Sequence, residues 1–463
     1  MNNAFTFLNR LHVFKNCIDW NYGKYGKLWT YNLNYFDFLN QKKITKELGL
    51  KLIEDYIIQD KNLKDGKEPY PISLRSINWI KFVSRHKISN VNIDKILYND
   101  FQILLKNIEY HLMGNHLLEN GFALFFGGYY FRDEKLYKLA KKILKKELNE
   151  QILQDGAHFE LSPMYHQILL NRLLDCINLI RNNLWVQDEL LHVLNEKGGK
   201  MLSWLQTVTY KCGTIPMVND SAYGIAPNSK DIFRYARELE IKWDKINLFD
   251  SGYRKKDNDF YELFFDVGNI GPKYQPGHAH SDTFNFELYV QGKPVIVDLG
   301  TSTYEKNEKR QLERSTHSHN TVQVGSLEQS EIWGGFRVGR RAEIIELKEQ
   351  GNSVVATHNG YKRLNVFHTR EFKTFPEEIQ IIDSLSGTIS LPNRAYFHLY
   401  PDVKNLLVNG NMVKLDENIA IEFIGSEKIK VENYEYALGF NKTKKAKRIV
   451  VNFKKELTTK INL

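Results

Sequence analysis

The sequence predicts an α+β chain of two parts: a helical array or toroid over residues 1–250, then an antiparallel β-sandwich over residues 251–463. Three observations carry this prediction. Apolar residues recur at helical spacing through the first half. Short alternating segments separated by Gly, Asn and Pro fill the second half. The pattern changes in the polar stretch 250–259.

The helices come first. From Ile93, the residues Ile96, Leu97, Phe101, Leu104, Leu105, Ile108 and Leu112 lie at the i, i+3, i+4 spacing of one buried face. A second helix fits Leu136, Leu139, Ile143, Leu144, Leu148 and Ile152. A third begins at Pro163 and runs through Ile168, Leu169, Leu173, Cys176 and Ile180, with Ser162 as N-cap and Pro163 at the first helical position. A fourth covers 190–205. Serial helices with short connections predict an array or a toroid, without an evident fixed-period repeat.

The strands follow. Phe284, Phe286, Leu288 and Val290 alternate with Asn285, Glu287 and Tyr289. Gln291-Gly292 reads as a turn into a strand over 293–299. Further strands are expected at 321–324, 342–347, 353–357, 367–373, 379–383 and 395–400. A two-residue turn sets Val290 opposite Lys293, Phe286 opposite Val297 and Asn285 opposite Asp298.

Composition narrows the partners. The 463 residues are 42% hydrophobic and 26% charged, which is globular, and long enough for roughly two to four domains. Aromatics reach 13%, with 25 Tyr and 27 Phe, which suits sugar stacking or core filling. The net charge of +9 draws polyanions: nucleic acid, anionic lipid or acidic polysaccharide. No dense basic stripe with interleaved aromatics supports nucleic acid. The run Lys141-Lys142 with Lys145-Lys146 fits a solvated helix face; Lys444-Lys445 with Lys447-Arg448 is expected in a loop. Cys17, Cys176 and Cys212 are too scattered for a disulfide framework or a thiolate zinc site. No apolar run of about 18 residues spans a membrane. Residues 1–20 lack a basic then apolar signal. The expectation is a cytoplasmic chain as written, or a periplasmic one from which an export signal was removed.

Candidate chemistry clusters in four places. Gly277-His278-Ala279-His280-Ser281-Asp282 is followed by Asp298, then by Arg314-Ser315-Thr316-His317-Ser318-His319-Asn320. Imidazoles and carboxylates in this density fit a zinc site or a set of hydrogen-bonded histidines. The strand register places His280 beyond reach of Asp298 unless 277–282 bulges or folds inward. In the helical half, 114–120 and 155–166 place His beside Asn or Tyr near apolar helices.

At these residues the sequence resembles the heparinase II/III family of polysaccharide lyases, which is similar to one branch of alginate lyases. The resemblance covers most of the chain and is strongest at 114–120, 155–166, 277–300 and 314–324; 29–33 and 397–402 add to it. It implies an incomplete α/α toroid followed by an antiparallel β-sandwich. It also implies that Asn115 and His116 face a uronate carboxylate, that Tyr165 in Ser-Pro-x-Tyr-His is catalytic, and that His278 is the catalytic histidine of the sandwich. His280, Asp298 and His319 match the family's metal site, a structural zinc; His319 fits better than His317 because it directly precedes Asn320-Thr321-Val322. Tyr304 matches a second tyrosine near the cleft.

The implied chemistry is β-elimination on an acidic, uronate-containing polysaccharide. The C5 proton of a uronate leaves only if the neighbouring carboxylate charge is offset, which Asn115 and His116 would do. Tyr165, with an ordinary pKa near ~10, needs a cationic neighbour to act as base; Tyr165 or His278 would protonate the leaving oxygen. Arg75, Arg314 and Arg337 are candidate carboxylate or sulfate binders. Two other readings stay open: a zinc-dependent glycan hydrolase using His280, Asp298 and His319, and a non-catalytic glycan-binding or assembly protein. The sequence does not specify which uronate polymer is bound. Side chains two apart on an extended segment point the same way, so separate roles for His278 and His280 require a bend at Ala279.

Overall fold

The computed structural model describes residues 3–186, 189–387, 391–416 and 419–463. Helices dominate up to Glu238 and antiparallel strands from Tyr253 onward. The expected helices form at Val91–Lys106, Glu134–Gln151, Pro163–Arg181 and Leu190–Val208. Their starts are written in polar residues. Asn90 accepts from the N–H groups of Asn92 and Ile93, and Asp133 from those of Lys135 and Leu136. The first of these helices is shorter than its apolar spacing predicts. It stops at Lys106, Glu109 N–H bonds the Asn120 side chain at 2.9 Å, and Met113 turns to φ 53°. Ile108 and Leu112 therefore sit in a connection.

The chain divides into two compact units. One comprises Met1–Ile152, Ile168–Gly199 and Ile232–Lys242; the other comprises Leu153–Gln167, Lys200–Asp231 and Trp243–Leu463. The first is helical and also holds the hairpin Asn3–Phe7 and Arg10–Phe14. Its helix Gly114–Phe131 is buried on nearly every side.

The second unit is built on a four-stranded and a ten-stranded antiparallel sheet. Tyr261, Leu263, Phe265, Phe286 and Leu288 from the smaller sheet share one core with Val354, Phe372, Ile379, Ile381, Phe397 and Ile449 from the larger. Phe265 stacks on Phe372 at 4.2 Å between ring centres. Burial of such rings drives the two layers together. The strands expected from alternation are all present, at Phe286–Val290, Lys293–Ile296, Val322–Val324, Ile344–Gln350, Ser353–His358, His368–Thr374, Glu378–Leu385 and Asn393–His398.

Two details differ from expectation. Val290 does face Lys293, but a β-bulge shifts the ladder so that Leu288 faces Ile296, and Val297 N–H bonds His398 instead. The basic run 444–448 lies within the strand Lys442–Asn462, not in a loop; Lys444 pairs with Asp402 and Arg448 with Glu432. Among the described residues, the three cysteines are free and no helix is long and apolar enough to cross a membrane.

Candidate active site

The loop bearing His278 and His280 is not a strand. Residues 277–285 turn before the Phe286–Val290 strand begins. Ala279 N–H bonds the Pro276 carbonyl at 3.2 Å, and the Ala279 carbonyl accepts Arg314 Nε and Nη2 at 3.2 and 2.9 Å. Arg314 is fully buried in this contact. It shapes the loop from within and does not stand exposed as an anion binder.

The loop delivers both histidines to one carboxylate. Asp220 Oδ2 lies 2.9 Å from His278 Nδ1, and Oδ1 lies 3.0 Å from His280 Nε2. Arg310 grips both oxygens, with Nη2 2.7 Å from Oδ2. Burial alone would raise the Asp220 pKa, but the Arg310 charge and the two imidazole hydrogen bonds hold it well below the ordinary carboxylate range. An ionised carboxylate only accepts hydrogen bonds. The hydrogens therefore sit on His278 Nδ1 and His280 Nε2. The other ring nitrogen, His278 Nε2, lies 3.8 Å from Glu160.

Asn219 fixes this arrangement. It adopts φ 53°, which Asn tolerates. Its Oδ1 accepts His280 N–H at 3.0 Å, and its Nδ2 donates to the Leu161 carbonyl and the Tyr253 hydroxyl.

Tyr165 sits on the first turn of the Pro163–Arg181 helix. Ser162 Oγ accepts Tyr165 N–H at 3.3 Å and donates to the Asp220 carbonyl at 2.8 Å, so the cap also ties the helix start to the carboxylate segment. The Tyr165 ring packs on His278 at 4.0 Å between centres, and its hydroxyl lies 3.3 Å from that of Tyr304. Burial pushes the Tyr165 phenol above its ordinary value, despite Tyr304 and the Arg310 charge. Tyr165 is thus a protonated donor at neutral pH. Arg310 lies 5.0 Å over Tyr304 and 5.1 Å over Phe336.

The residues expected to bind zinc assemble in part. His280 and His319 rings lie 5.3 Å apart, and His280 Nδ1 and His319 Nε2 are buried without a hydrogen-bond partner among the described residues. Two orphaned ring nitrogens suit a metal. Asp298 is otherwise engaged: Oδ2 meets His319 Nδ1 at 2.7 Å and Asn285 Nδ2 at 2.6 Å, and Oδ1 accepts Gly300 N–H. Among the described residues no group of three His, Cys, Asp or Glu is placed to hold an ion.

The helical unit carries the other expected residues. Asn115 is buried at the start of the Gly114–Phe131 helix. His116 Nδ1 lies 3.0 Å from Glu109, and its ring packs on Tyr70 at 4.4 Å. Arg75 is fully buried against Asp100, at 2.6 Å, and donates to the Gly66 carbonyl; it is a core ion pair and not an exposed anion binder. Arg337 is exposed on a short strand of the other unit.

Sequence reasoning missed Asp220 and Arg310. Asp220 left a signal: Asn219-Asp220-Ser221 directly follows the apolar Met217-Val218, with neither helical nor strand period. Arg310, in Glu308–Glu313, reads as a solvated face.

Comparisons with known proteins converge on one family. The heparinase II/III N-terminus model matches residues 73–239, and the heparinase II/III-like C-terminal model matches 241–463. A heparin-sulfate lyase of Bacteroides stercoris is 26% identical over 254 residues, 48% of this chain and 37% of that protein. One from Bacteroides thetaiotaomicron is 24% identical over 339 residues, 62% of this chain and 47% of that protein. The matched segments thus span less than half of either relative. A solved heparinase III structure overlays with TM-score 0.70 at 18% identity, covering 96% of this chain and 80% of that one. A heparan sulfate lyase of Pedobacter heparinus overlays with TM-score 0.65 at 17% identity, covering 97% and 79%. These overlays bear on the fold, a toroid followed by a sandwich. With its helical and β-sandwich parts both matched, the chain belongs to the heparinase II/III family.

Proposed function

We propose that the protein is a polysaccharide lyase that cleaves an acidic, uronate-containing polysaccharide by β-elimination. The observation that carries this reading is the packing of the His278 imidazole on the Tyr165 phenol at 4.0 Å. The pair offers one proton acceptor and one proton donor side by side, which elimination requires.

In this mechanism His278 Nε2 takes the C5 proton. The electron pair of the C–H bond forms the C4–C5 double bond, the C4–O bond breaks, and Tyr165 gives its proton to the departing oxygen. A departing alkoxide is more basic than a phenolate, so that transfer is downhill even for a phenol of raised pKa. Return of the proton from His278 to Tyr165 resets the pair. Asp220 holds the His278 tautomer and offsets the charge that forms on the ring, with Arg310 balancing Asp220 at rest. The resemblance assigns Asn115 and His116 to the substrate carboxylate, where hydrogen-bond donors stabilise the enolate. Zinc, held by His280 Nδ1 and His319 Nε2 with Asp298 orienting His319, remains our proposal for a structural ion; no step passes through it.

Both curated relatives are named heparin-sulfate lyases, so heparin and heparan sulfate are the first polymers to test, alongside hyaluronan, chondroitin and alginate. Cleavage should create an unsaturated uronate that absorbs in the far ultraviolet. Chain shortening without that absorbance would mean hydrolysis, and binding without shortening would mean a non-catalytic role. Tyr165→Phe should lose turnover by at least about 100-fold while keeping polymer affinity; an unchanged rate removes Tyr165 from the mechanism.

A further inference from the structure

Beside the catalytic cluster, a small hairpin pairs Ile332 with Val338 and Trp333 with Arg337. Its turn passes through Gly334 and Gly335 at φ 59° and 81°, positions that favour glycine. We infer that this hairpin is a subsite for an anionic sugar residue neighbouring the cleaved bond. In it, Trp333 stacks on the pyranose ring and Arg337 pairs with the carboxylate or sulfate. The inference rests on the lyase reading above and gives it a specificity element.

The hairpin is fastened to the site on its inner side. Phe336 lies 5.2 Å from Tyr304 and 6.2 Å from His278, ring centre to ring centre. The Gly335 carbonyl accepts Arg310 Nε at 3.0 Å, the Arg337 carbonyl accepts Arg314 Nη2 at 3.3 Å, and the Ile332 carbonyl accepts Gln311 Nε2 at 2.9 Å. The arginine that grips Asp220 and the one that shapes the His278 loop thus both hold the hairpin. A ligand on its outer side would be registered against the catalytic pair.

The outer side has the chemistry of a sugar platform. Trp333 is 49% exposed and is the one tryptophan among the exposed large apolar side chains of the described residues. Its benzenoid edge rests on Gly339: a Cβ there would come 2.8 Å from Cζ3 and 3.2 Å from Cη2. The backbone seats one part of the indole and leaves the rest open to solvent. Sugar rings present C–H faces that pack on such an indole, and the polar rim of the ring stays wet. Arg337, directly across the ladder, is exposed, as are Arg340 and Lys306. None of these three cations has a side-chain ion-pair partner among the described residues. Among the neighbouring carboxylates, Glu331 accepts Arg340 N–H at 3.4 Å and lies against Gly339, and Glu305 and Glu308 flank Lys306 in the sequence. Arg337 stands beside the open indole, and a guanidinium takes a carboxylate or sulfate in bidentate fashion.

The test uses the full chain and the polymer found by the absorbance screen. Trp333→Ala and Arg337→Ala should each raise KM roughly tenfold and leave kcat within about twofold. Arg337→Lys should recover only part of the loss. Gly339→Ala, which pushes the indole off its seat, should act in the same direction as Trp333→Ala. Unchanged KM in these variants, or a fall in kcat at constant KM, would overturn the subsite. A second arm needs no turnover. A heparin hexasaccharide added to the Tyr165→Phe protein should change the part of the tryptophan emission that disappears in Tyr165→Phe/Trp333→Phe, and a neutral chitin hexasaccharide should not. If no polymer is cleaved, the lyase reading fails and this arm alone decides the subsite; if the hexasaccharide leaves Trp333 emission unchanged, the subsite fails whatever the activity.

Discussion

Replacing Asp383 by Asn should unfold the sandwich unit more easily, and the size of the effect can be worked from one buried chain of hydrogen bonds. Gly360 N–H donates to His358 Nδ1 at 3.0 Å, His358 Nε2 meets His368 Nδ1 at 3.1 Å, and His368 Nε2 meets Asp383 Oδ1 at 2.7 Å. Neutral imidazoles satisfy every link. Arg370, directly across the ladder, adds Nε and Nη2 to the same carboxylate at 2.7 and 2.9 Å. Burial opposes ionisation of Asp383, yet the Arg370 charge and the His368 bond carry its pKa from 3.8 down to about 2. At ~1.36 kcal/mol per pKa unit, the ionised carboxylate contributes roughly 2–3 kcal/mol at neutral pH. Because the folded pKa is depressed, this stability is present above the unfolded value and is lost as pH falls from about 5 toward 2. Asp383→Asn also strands the Arg370 charge, and breaking a buried pair costs ~3–5 kcal/mol. The expected loss is therefore about 3 kcal/mol at pH 7 in equilibrium denaturant unfolding, shrinking steadily below pH 4 as wild type loses the same term. A loss under about 1 kcal/mol, or one that does not change with acid, would refute this reasoning. Activity should fall as well, because Arg370 Nη1 holds the carbonyls of Phe284 and Asn320, which flank the histidine loops.

Two further outcomes follow from the site. Asp220→Asn should lower kcat by roughly 10²–10⁴, since the amide no longer dictates the His278 tautomer, and should lower the melting temperature by stranding Arg310; wild-type turnover would remove Asp220 from the mechanism. Metal analysis of the purified protein should find about one zinc per chain, absent in His280→Ala; retention by that variant, or no zinc in wild type, withdraws the site.

Much of the fold was legible because periodicity is a local property. The four amphipathic helices and eight strands announced themselves by which face was apolar. The helix Gly114–Phe131 did not: buried all round, it has no polar face to set a period. The strands Ile419–Gly439 and Lys442–Asn462 hid for the opposite reason, since much of their length is exposed and charged. The ladder shift at Leu288–Tyr289 was invisible because Pro294 and its bulge act on pairing, not on composition. In the site, residues that share a short motif were readable, and Tyr165, His278 and Tyr304 do come together. What holds them was not, because Asp220 and Arg310 lie about 60 and 90 positions from their partners' segments and no local pattern encodes that meeting.

Separate roles for His278 and His280 need the two rings to present different nitrogens, and the turn at Ala279 does not by itself supply that difference. The structure solves the problem on the rings themselves. Both side chains point to Asp220, but they reach it through opposite edges: His278 through Nδ1 and His280 through Nε2. Anchoring by Nδ1, the nitrogen nearer the backbone, presents Nε2 outward beside Tyr165 and Glu160. Anchoring by Nε2 turns Nδ1 back into the protein, beside His319. One ionised carboxylate thereby sets two tautomers of opposite sense. Burial then keeps His280 neutral, with its pKa pushed down to about 3 against the pull of Asp220. The division of labour comes from which nitrogen each imidazole spends on the shared carboxylate. A residue at 220 that offered only one acceptor would have to sacrifice one of the two tautomers.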